Sequence, residues 1–209
     1  MAGAVGRLGE ALLNRVLASG DYASVVALAD APMALGVRQL SLAPIGALPR
    51  IDDAFVALSD PAEADARSFY GRDAPFVQVH RGNCLQVAQR AVDAGASRLL
   101  LVSPLPAWQQ VGPFHRGLGD ETELAISQLP LASVVILRPV RDAKRPGGNL
   151  LQKVAAAYLS LQLLMMPRSI ELMTSEKLAR CALAAMRRAR AGIEVVGADR
   201  IGALLEDPT

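Results

Sequence analysis

Residues 3–9 read Gly3-Ala4-Val5-Gly6-Arg7-Leu8-Gly9, with a glycine at every third position. In dinucleotide-binding folds, such a turn follows a buried strand and opens a helix whose first amides meet a pyrophosphate. Gly3 would allow the tight turn, Gly6 would let phosphates approach the backbone, and Gly9 would let the helix pack on the sheet. The stretch predicts a cofactor-binding turn that also includes Arg7 and Leu8.

The strand that should precede this turn is almost missing from the sequence. Only Met1 and Ala2 stand before Gly3, whereas strands in globular domains have about five or six residues. We therefore expect a fold whose first, central strand is truncated. Either the start lies upstream, or the fold is a degraded or rearranged version of its type.

Apolar patterning after the turn predicts helices that alternate with short buried strands. Strands are predicted at residues 24–29, 37–43, 54–58, 99–102, 133–137 and 192–196, and helices at 7–18, 74–94, 119–129, 150–166, 175–189 and 198–205. This alternation indicates an α/β class, a Rossmann-like doubly wound parallel sheet. The 209 residues fit a single domain, with about 140–209 as a small C-terminal portion on the substrate side.

Composition excludes several classes of protein. Hydrophobic residues make up 52% of the chain and aromatic residues 4%, which suits an aliphatic α/β core. The net charge of +2 does not favour nucleic acid or a membrane surface as a partner. The most apolar stretch, residues 154–166, is too short to span a bilayer, so a cytoplasmic location is predicted. Two histidines and the separated Cys84 and Cys181 predict buried free thiols and no metal site.

Asp30 follows the predicted strand 24–29, about twenty residues after the glycines, where an acid that binds a ribose hydroxyl is expected. A carboxylate at this position accepts hydrogen bonds from a free ribose and repels a 2′-phosphate. If a dinucleotide binds, the sequence favours NAD over NADP.

Six pieces of the chain carry a resemblance to a known family. They are Gly3-Ala4-Val5-Gly6-Arg7-Leu8-Gly9, Val25-Val26-Ala27-Leu28, Phe55-Val56-Ala57-Leu58, the Asn83 helix with Ala91 and Ala94-Gly95-Ala96, Leu99-Leu100-Leu101-Val102-Ser103, and Ile136-Leu137-Arg138-Pro139. Their order resembles that of the atypical short-chain dehydrogenase/reductases, and within them the Tat-interacting-protein-like NAD(P)-binding proteins. The resemblance extends to about Gly197 and implies a Rossmann-like NAD(P)-binding domain.

The resemblance also implies where an active site would lie. Enzymes of this family use a serine after the fifth strand, then a tyrosine that donates a proton and a lysine four residues later. Ser103 matches the serine, but His115 falls at the tyrosine position and Gly119 at the lysine position. No tyrosine elsewhere restores the pair, because the residues four positions after Tyr22, Tyr70 and Tyr158 are Val26, Ala74 and Gln162. The resemblance thus implies a cofactor-binding protein with weak or no redox activity.

Two other functions remain open from the sequence. One is an active NAD-dependent oxidoreductase or isomerase in which Ser103 and His115 act on an unidentified small-molecule substrate. The other is a scaffold that keeps the fold for protein contacts and binds no cofactor. The Leu-rich helix with Met165 and Met166 could form a homodimer contact, although burial within one chain is the simpler interpretation.

Overall fold

A computed structural model describes residues 1–30, 36–59, 76–105, 117–140 and 173–205. The strands are β1 (Val25–Leu28), β2 (Leu40–Ala43), β3 (Asp53–Ala57), β4 (Arg98–Val102), β5 (Ser133–Arg138) and β6 (Gly192–Gly197). The helices are α1 (Gly6–Ala18), α2 (Arg81–Asp93), α3 (Glu121–Ser127), α4 (Ser175–Arg188) and α5 (Ala198–Ile201), and a 3₁₀ helix spans Gly202–Leu205.

All strand pairs within the described sheets are parallel. β1 pairs with β2, and β3, β4, β5 and β6 form a second sheet in that order. The register places Ala57 opposite Val102, and Val102 opposite Leu137. The carboxyl ends of β3, β4 and β5 therefore meet at one edge, which is called the carboxyl edge below.

Met1 and Ala2 lie between the two sheets and take the place of a central strand. The Met1 amine donates to the Val26 carbonyl at 2.6 Å, and the Leu28 amide donates to the Met1 carbonyl at 2.9 Å. On the other side, Ala2 forms a parallel bridge with Val56 of β3. The strand order is thus β2, β1, Met1–Ala2, β3, β4, β5, β6. The predicted α/β Rossmann-like parallel sheet is confirmed.

Apolar side chains cover both faces of this sheet. On one face, α1 and α4 contribute Leu12 and Met186 to a cluster that includes Leu100 of β4. On the other face, α2 and α3 contribute Val87 and Ile126. β5 is buried at all six positions because helices cover it on both sides, which explains its unbroken apolar sequence.

The segment Phe76–Val79 is not helical, so the predicted helix 74–94 is wrong at its start. The Val77 amide donates to the Leu28 carbonyl at 3.0 Å, and the Ser59 amide donates to the Val79 carbonyl at 2.8 Å. These bonds use the carboxyl ends of β1 and β3, beyond the point where the chain turns out of the sheet at Gly3. The helix begins only at Arg81.

The other element boundaries differ by a few residues from the predictions. β2 begins at Leu40 rather than at Val37, which is 40% exposed. α3 is shorter than the predicted 119–129, because Asp120 caps it and Gln128 ends it. Thr174 caps α4 by accepting a hydrogen bond from the Lys177 amide. The predicted helix 150–166 lies outside the described residues.

The buried Met1 amine makes stability depend on pH. Burial lowers the pKa of this amine from 8.0 to about 5, so between these values the unfolded chain holds more protons than the folded chain. For the chain with a free Met1 amine, we expect the free energy of unfolding to rise with pH from about 5 to about 8, by about 1 kcal/mol per pH unit. Denaturant unfolding across this range measures the slope.

Acetylation of the Met1 amine provides the control for this prediction. The acetylated chain keeps an N–H group that can donate to Val26 but has no titrating amine. Its slope should be smaller than that of the free chain, whereas equal slopes would assign the pH dependence to other groups.

Candidate functional site

The glycine turn lies at the carboxyl end of Met1–Ala2. Gly3 and Gly6 have backbone φ angles of +74° and +72°, a region that glycine enters without steric cost. A Cβ atom on Gly3 would lie 2.0 Å from the carbonyl oxygen of Ala57 in β3. The turn therefore packs directly on the neighbouring strand and requires glycine at position 3.

Gly9 packs against the turn itself. A Cβ atom at this position would lie 2.1 Å from the Gly3 carbonyl oxygen and 2.8 Å from the Ala4 carbonyl carbon. The first turn of α1 thus touches the backbone that leads into it. Within the same stretch, Arg7 is exposed and Leu8 is half-buried against the α1–α4 side of the core.

The amino terminus of α1 has no side-chain cap. Its N-cap residue is Val5, which offers no oxygen or nitrogen acceptor to the first amides. By contrast, His80, Asp120 and Thr174 each accept a hydrogen bond from a first-turn amide of α2, α3 and α4. Within the described part of the chain, no capping side chain competes with an anion for the first amides of α1, and the helix dipole would also favour an anion there.

Asp30 lies two residues beyond the end of β1, at the carboxyl edge and next to the glycine turn. Its side chain is exposed, and the preceding Ala29 is held by an antiparallel bridge to Phe76. The structure therefore places this carboxylate on the β1 side of the turn.

Ser103 follows β4 at the same edge and is fully buried. Its amide donates to the Leu137 carbonyl at 2.8 Å, but its hydroxyl has no hydrogen-bond partner among the described residues. The hydroxyl of Ser59, just after β3, is also buried and also has no hydrogen-bond partner among the described residues. Sequence reasoning missed Ser59, although its position directly after an apolar strand was a usable signal.

His115 lies outside the described residues, so its pairing with Ser103 stays a prediction. Tyr22 lies before β1, at the opposite edge of the sheet. Its hydroxyl donates to Asp53 at 3.0 Å, and burial together with that carboxylate raises its pKa. Tyr22 therefore cannot supply a phenol to the carboxyl edge.

A buried ion pair lies beside Gly119, the position at which the sequence resemblance would expect a lysine. Arg138 at the end of β5 and Glu123 in α3 are 1% and 3% exposed and are joined by two hydrogen bonds. The Gly119 amide donates to Glu123 Oε2 at 2.7 Å. A Cβ atom on Gly119 would lie 2.9 Å from Arg138 Nη2, so the pair leaves little room for a side chain there.

Other candidate chemistry lies away from this edge. Cys84 and Cys181 are free and buried, and burial raises the pKa of the Cys84 thiol to about 12 and also raises that of Cys181. Neither thiol is a ready nucleophile near neutral pH. The described ranges contain no cluster of three His, Cys, Asp or Glu residues suited to a metal ion. No helix in the described part has the length and apolar character needed to cross a bilayer.

Asn83 supports the start of α2. Its side chain accepts from the His80 amide at 2.8 Å and donates to the Gln78 carbonyl at 3.0 Å.

A groove of about 820 Å³ lies on the outer side of α2 and α3, and Leu85, Gln86 and Gln128 line part of it. None of the residues that line this groove belongs to the glycine turn or to the carboxyl edge.

Comparison with solved structures gives distant similarities to several chains. The chain is similar to the enzyme WbmG of Bordetella bronchiseptica, whose crystal structure is a complex with NAD and UDP. Identity is 16%, coverage is 96% of this chain and 83% of that chain, and the TM-score is 0.39. No protein-family model and no curated protein sequence matches the chain. The fold assignment therefore rests on the strand order and register of the chain itself.

Proposed function

We propose that this protein binds a nicotinamide dinucleotide along its carboxyl edge, with NAD preferred over NADP. The observation that carries the proposal is the glycine turn, which leaves no room for side chains at Gly3 and Gly9 and opens into the uncapped amino terminus of α1. A pyrophosphate would accept hydrogen bonds from the first amides of α1 and interact favourably with the helix dipole.

The strand order supports this location for the ligand. The sheet grows in opposite directions from Met1–Ala2, toward β1 and β2 on one side and toward β3 on the other. Ligands of open α/β sheets bind outside the carboxyl ends of the strands at such a switch point. Asp30 would accept hydrogen bonds from the adenosine ribose, and Ser103 lies on the opposite side of the turn.

We further propose that redox activity is weak or absent. The sequence lacks a tyrosine followed four residues later by lysine, and the Arg138–Glu123 pair crowds the position that lysine would need. The Arg138 guanidinium near this position is already paired with Glu123. It therefore does not supply the free positive charge that assists proton transfer from a phenol or an imidazole in the family's enzymes.

Calorimetric titration of the 209-residue chain with NADH, NADPH and ADP tests the proposal. We expect NADH to bind in the micromolar range, about −8 kcal/mol, and NADPH to bind more weakly. If neither dinucleotide binds to a chain that circular dichroism shows to be folded, the proposal fails and a scaffold becomes the better interpretation.

Asp30→Ala should change the choice between the two dinucleotides. Losing hydrogen bonds to a carboxylate should weaken NADH about tenfold. NADPH should bind unchanged or more tightly, because the repulsion of its 2′-phosphate is removed. The same titration, performed on the variant, measures both effects.

Asp52→Ala is the matched control, because Asp52 is an exposed aspartate next to β3 at the opposite edge of the sheet. It should leave both affinities unchanged. Equal effects of the two substitutions would show that only net charge matters, and wild-type NADH affinity in Asp30→Ala would remove Asp30 from the site.

A further inference from the structure

His80 is the N-cap residue of α2, and it caps the helix with a group that can be protonated. Its ring Nδ1 accepts a hydrogen bond from the Gly82 amide at 3.1 Å. By contrast, Asp120 and Thr174 cap α3 and α4 through a carboxylate oxygen and a hydroxyl oxygen. A neutral imidazole accepts through one of its nitrogens, whereas both nitrogens of the protonated ring are donors. The side-chain cap of α2 therefore exists only while the His80 ring is neutral.

The first turn of α2 is also bonded to the segment that precedes it, Phe76–Val79. The His80 amide donates to Asn83 Oδ1 at 2.8 Å. The Nδ2 atom of Asn83 donates in turn to the Gln78 carbonyl at 3.0 Å. Together with the cap, these bonds join segment 76–79 and the start of α2 into one hydrogen-bonded unit.

Segment 76–79 fastens the carboxyl ends of two strands to each other. The Val77 amide donates to the Leu28 carbonyl at the end of β1, at 3.0 Å. The Ser59 amide, just beyond β3, donates to the Val79 carbonyl at 2.8 Å. Loss of order at the start of α2 would therefore be transmitted to the junction of β1 and β3.

The surroundings of His80 do not hold a protonated ring in the cap position. Charged or titratable groups near the start of α2 come from α2, α3 and β5 in the described residues: Arg81, Cys84, Asp120, Glu123 and Arg138. Both carboxylates already pair with arginines, and burial raises the pKa of the Cys84 thiol to about 12, so that this thiol stays neutral. The helix dipole also places positive charge beside the ring. A proton on His80 thus removes the bond from Gly82 and gains no unpaired carboxylate among these groups.

We propose that His80 is an acid-sensitive cap, whose neutral ring keeps segment 76–79 fastened across β1 and β3 and whose protonation releases that segment. Imidazole side chains change charge between about pH 5 and pH 8. The segment is therefore held at the upper end of this range and released at the lower end. This role requires no ligand and is independent of dinucleotide binding.

Amide hydrogen exchange of Val77 and Ser59, at about pH 8 and about pH 5, tests this role in the wild type and in His80→Asn. Asparagine caps a helix at both pH values, and comparison at equal pH cancels the intrinsic pH dependence of exchange. At the higher pH the two proteins should be protected equally. At the lower pH the wild type should be about 2- to 30-fold less protected, the range expected for the loss of an N-cap. His80→Ala should be less protected than His80→Asn at both pH values.

Thr174→Ala is the control, because it removes the side-chain cap of α4, which does not titrate in this range. It should leave the protection of Val77 and Ser59 unchanged at both pH values. The charge of the His80 ring is measured in the same samples by NMR. The role of His80 is overturned by a ring that stays neutral at about pH 5, or by equal protection in the wild type and His80→Asn at that pH. Wild-type protection in His80→Ala at the higher pH would overturn it as well.

Discussion

Gly9→Ala is expected to destabilise the fold by at least about 3 kcal/mol, or to prevent folding altogether. The new Cβ atom would lie 2.1 Å from the Gly3 carbonyl oxygen and 2.8 Å from the Ala4 carbonyl carbon. Both contacts are with backbone, so no side-chain rotation can relieve them. To make room, α1 would have to move away from the sheet, which would also displace its first amides. Equilibrium denaturant unfolding measures the loss.

Gly46→Ala is the matched control for Gly9→Ala. Gly46 is exposed, and a Cβ atom there would meet nothing within 4 Å. Its stability should stay within about 0.5 kcal/mol of the wild type. Wild-type stability in Gly9→Ala would show that the contact between α1 and the glycine turn does not exist in solution.

Glu123→Ala should cost about 3–5 kcal/mol of unfolding free energy, because it removes the Glu123 carboxylate from the buried ion pair with Arg138. The exposed pair of Asp21 and Arg187 provides the comparison, with side chains 32% and 53% exposed. Asp21→Ala should cost less than about 1 kcal/mol, because water screens that pair. Chemical denaturation of both variants measures the difference.

A double variant separates the charge from the packing at the buried pair. Glu123→Leu with Arg138→Met removes both charges and keeps apolar volume, so it should recover much of the stability lost in Glu123→Ala. A cost below about 1 kcal/mol for Glu123→Ala would contradict the burial of this pair.

The fold was predictable where local pattern and burial agree. The runs that form β4 and β5 are apolar because helices cover both faces of the sheet, so sequence alone located them. The start of α2 was not predictable in this way. Phe76 and Val79 have spacing that suits a helix, but the free ends of β1 and β3 bind this segment through partners distant in sequence.

The candidate site also has parts that the sequence predicts and parts that it does not. Gly3 and Gly9 belong to a local motif, and the close contacts at both positions give a physical reason for it. The position of Ser59 after an apolar strand is a local signal, but the lack of a described partner for its hydroxyl and the Arg138–Glu123 pair have no local signal. They depend on neighbouring strands and on a partner 15 residues away. Only the assembled sheet makes them visible.

The strand order also places a boundary, called the seam below, between β1 and β3. Within the described residues, no backbone hydrogen bond joins β1 directly to β3, and the two strands meet through Met1–Ala2 and Phe76–Val79. Asp30 stands on one side of this seam and Ser59 on the other. A dinucleotide bound across the seam would contact residues on both sides of it. Its binding energy would therefore also oppose local separation of β1 from β3. Ligand release and opening of the seam would then be a single coupled event.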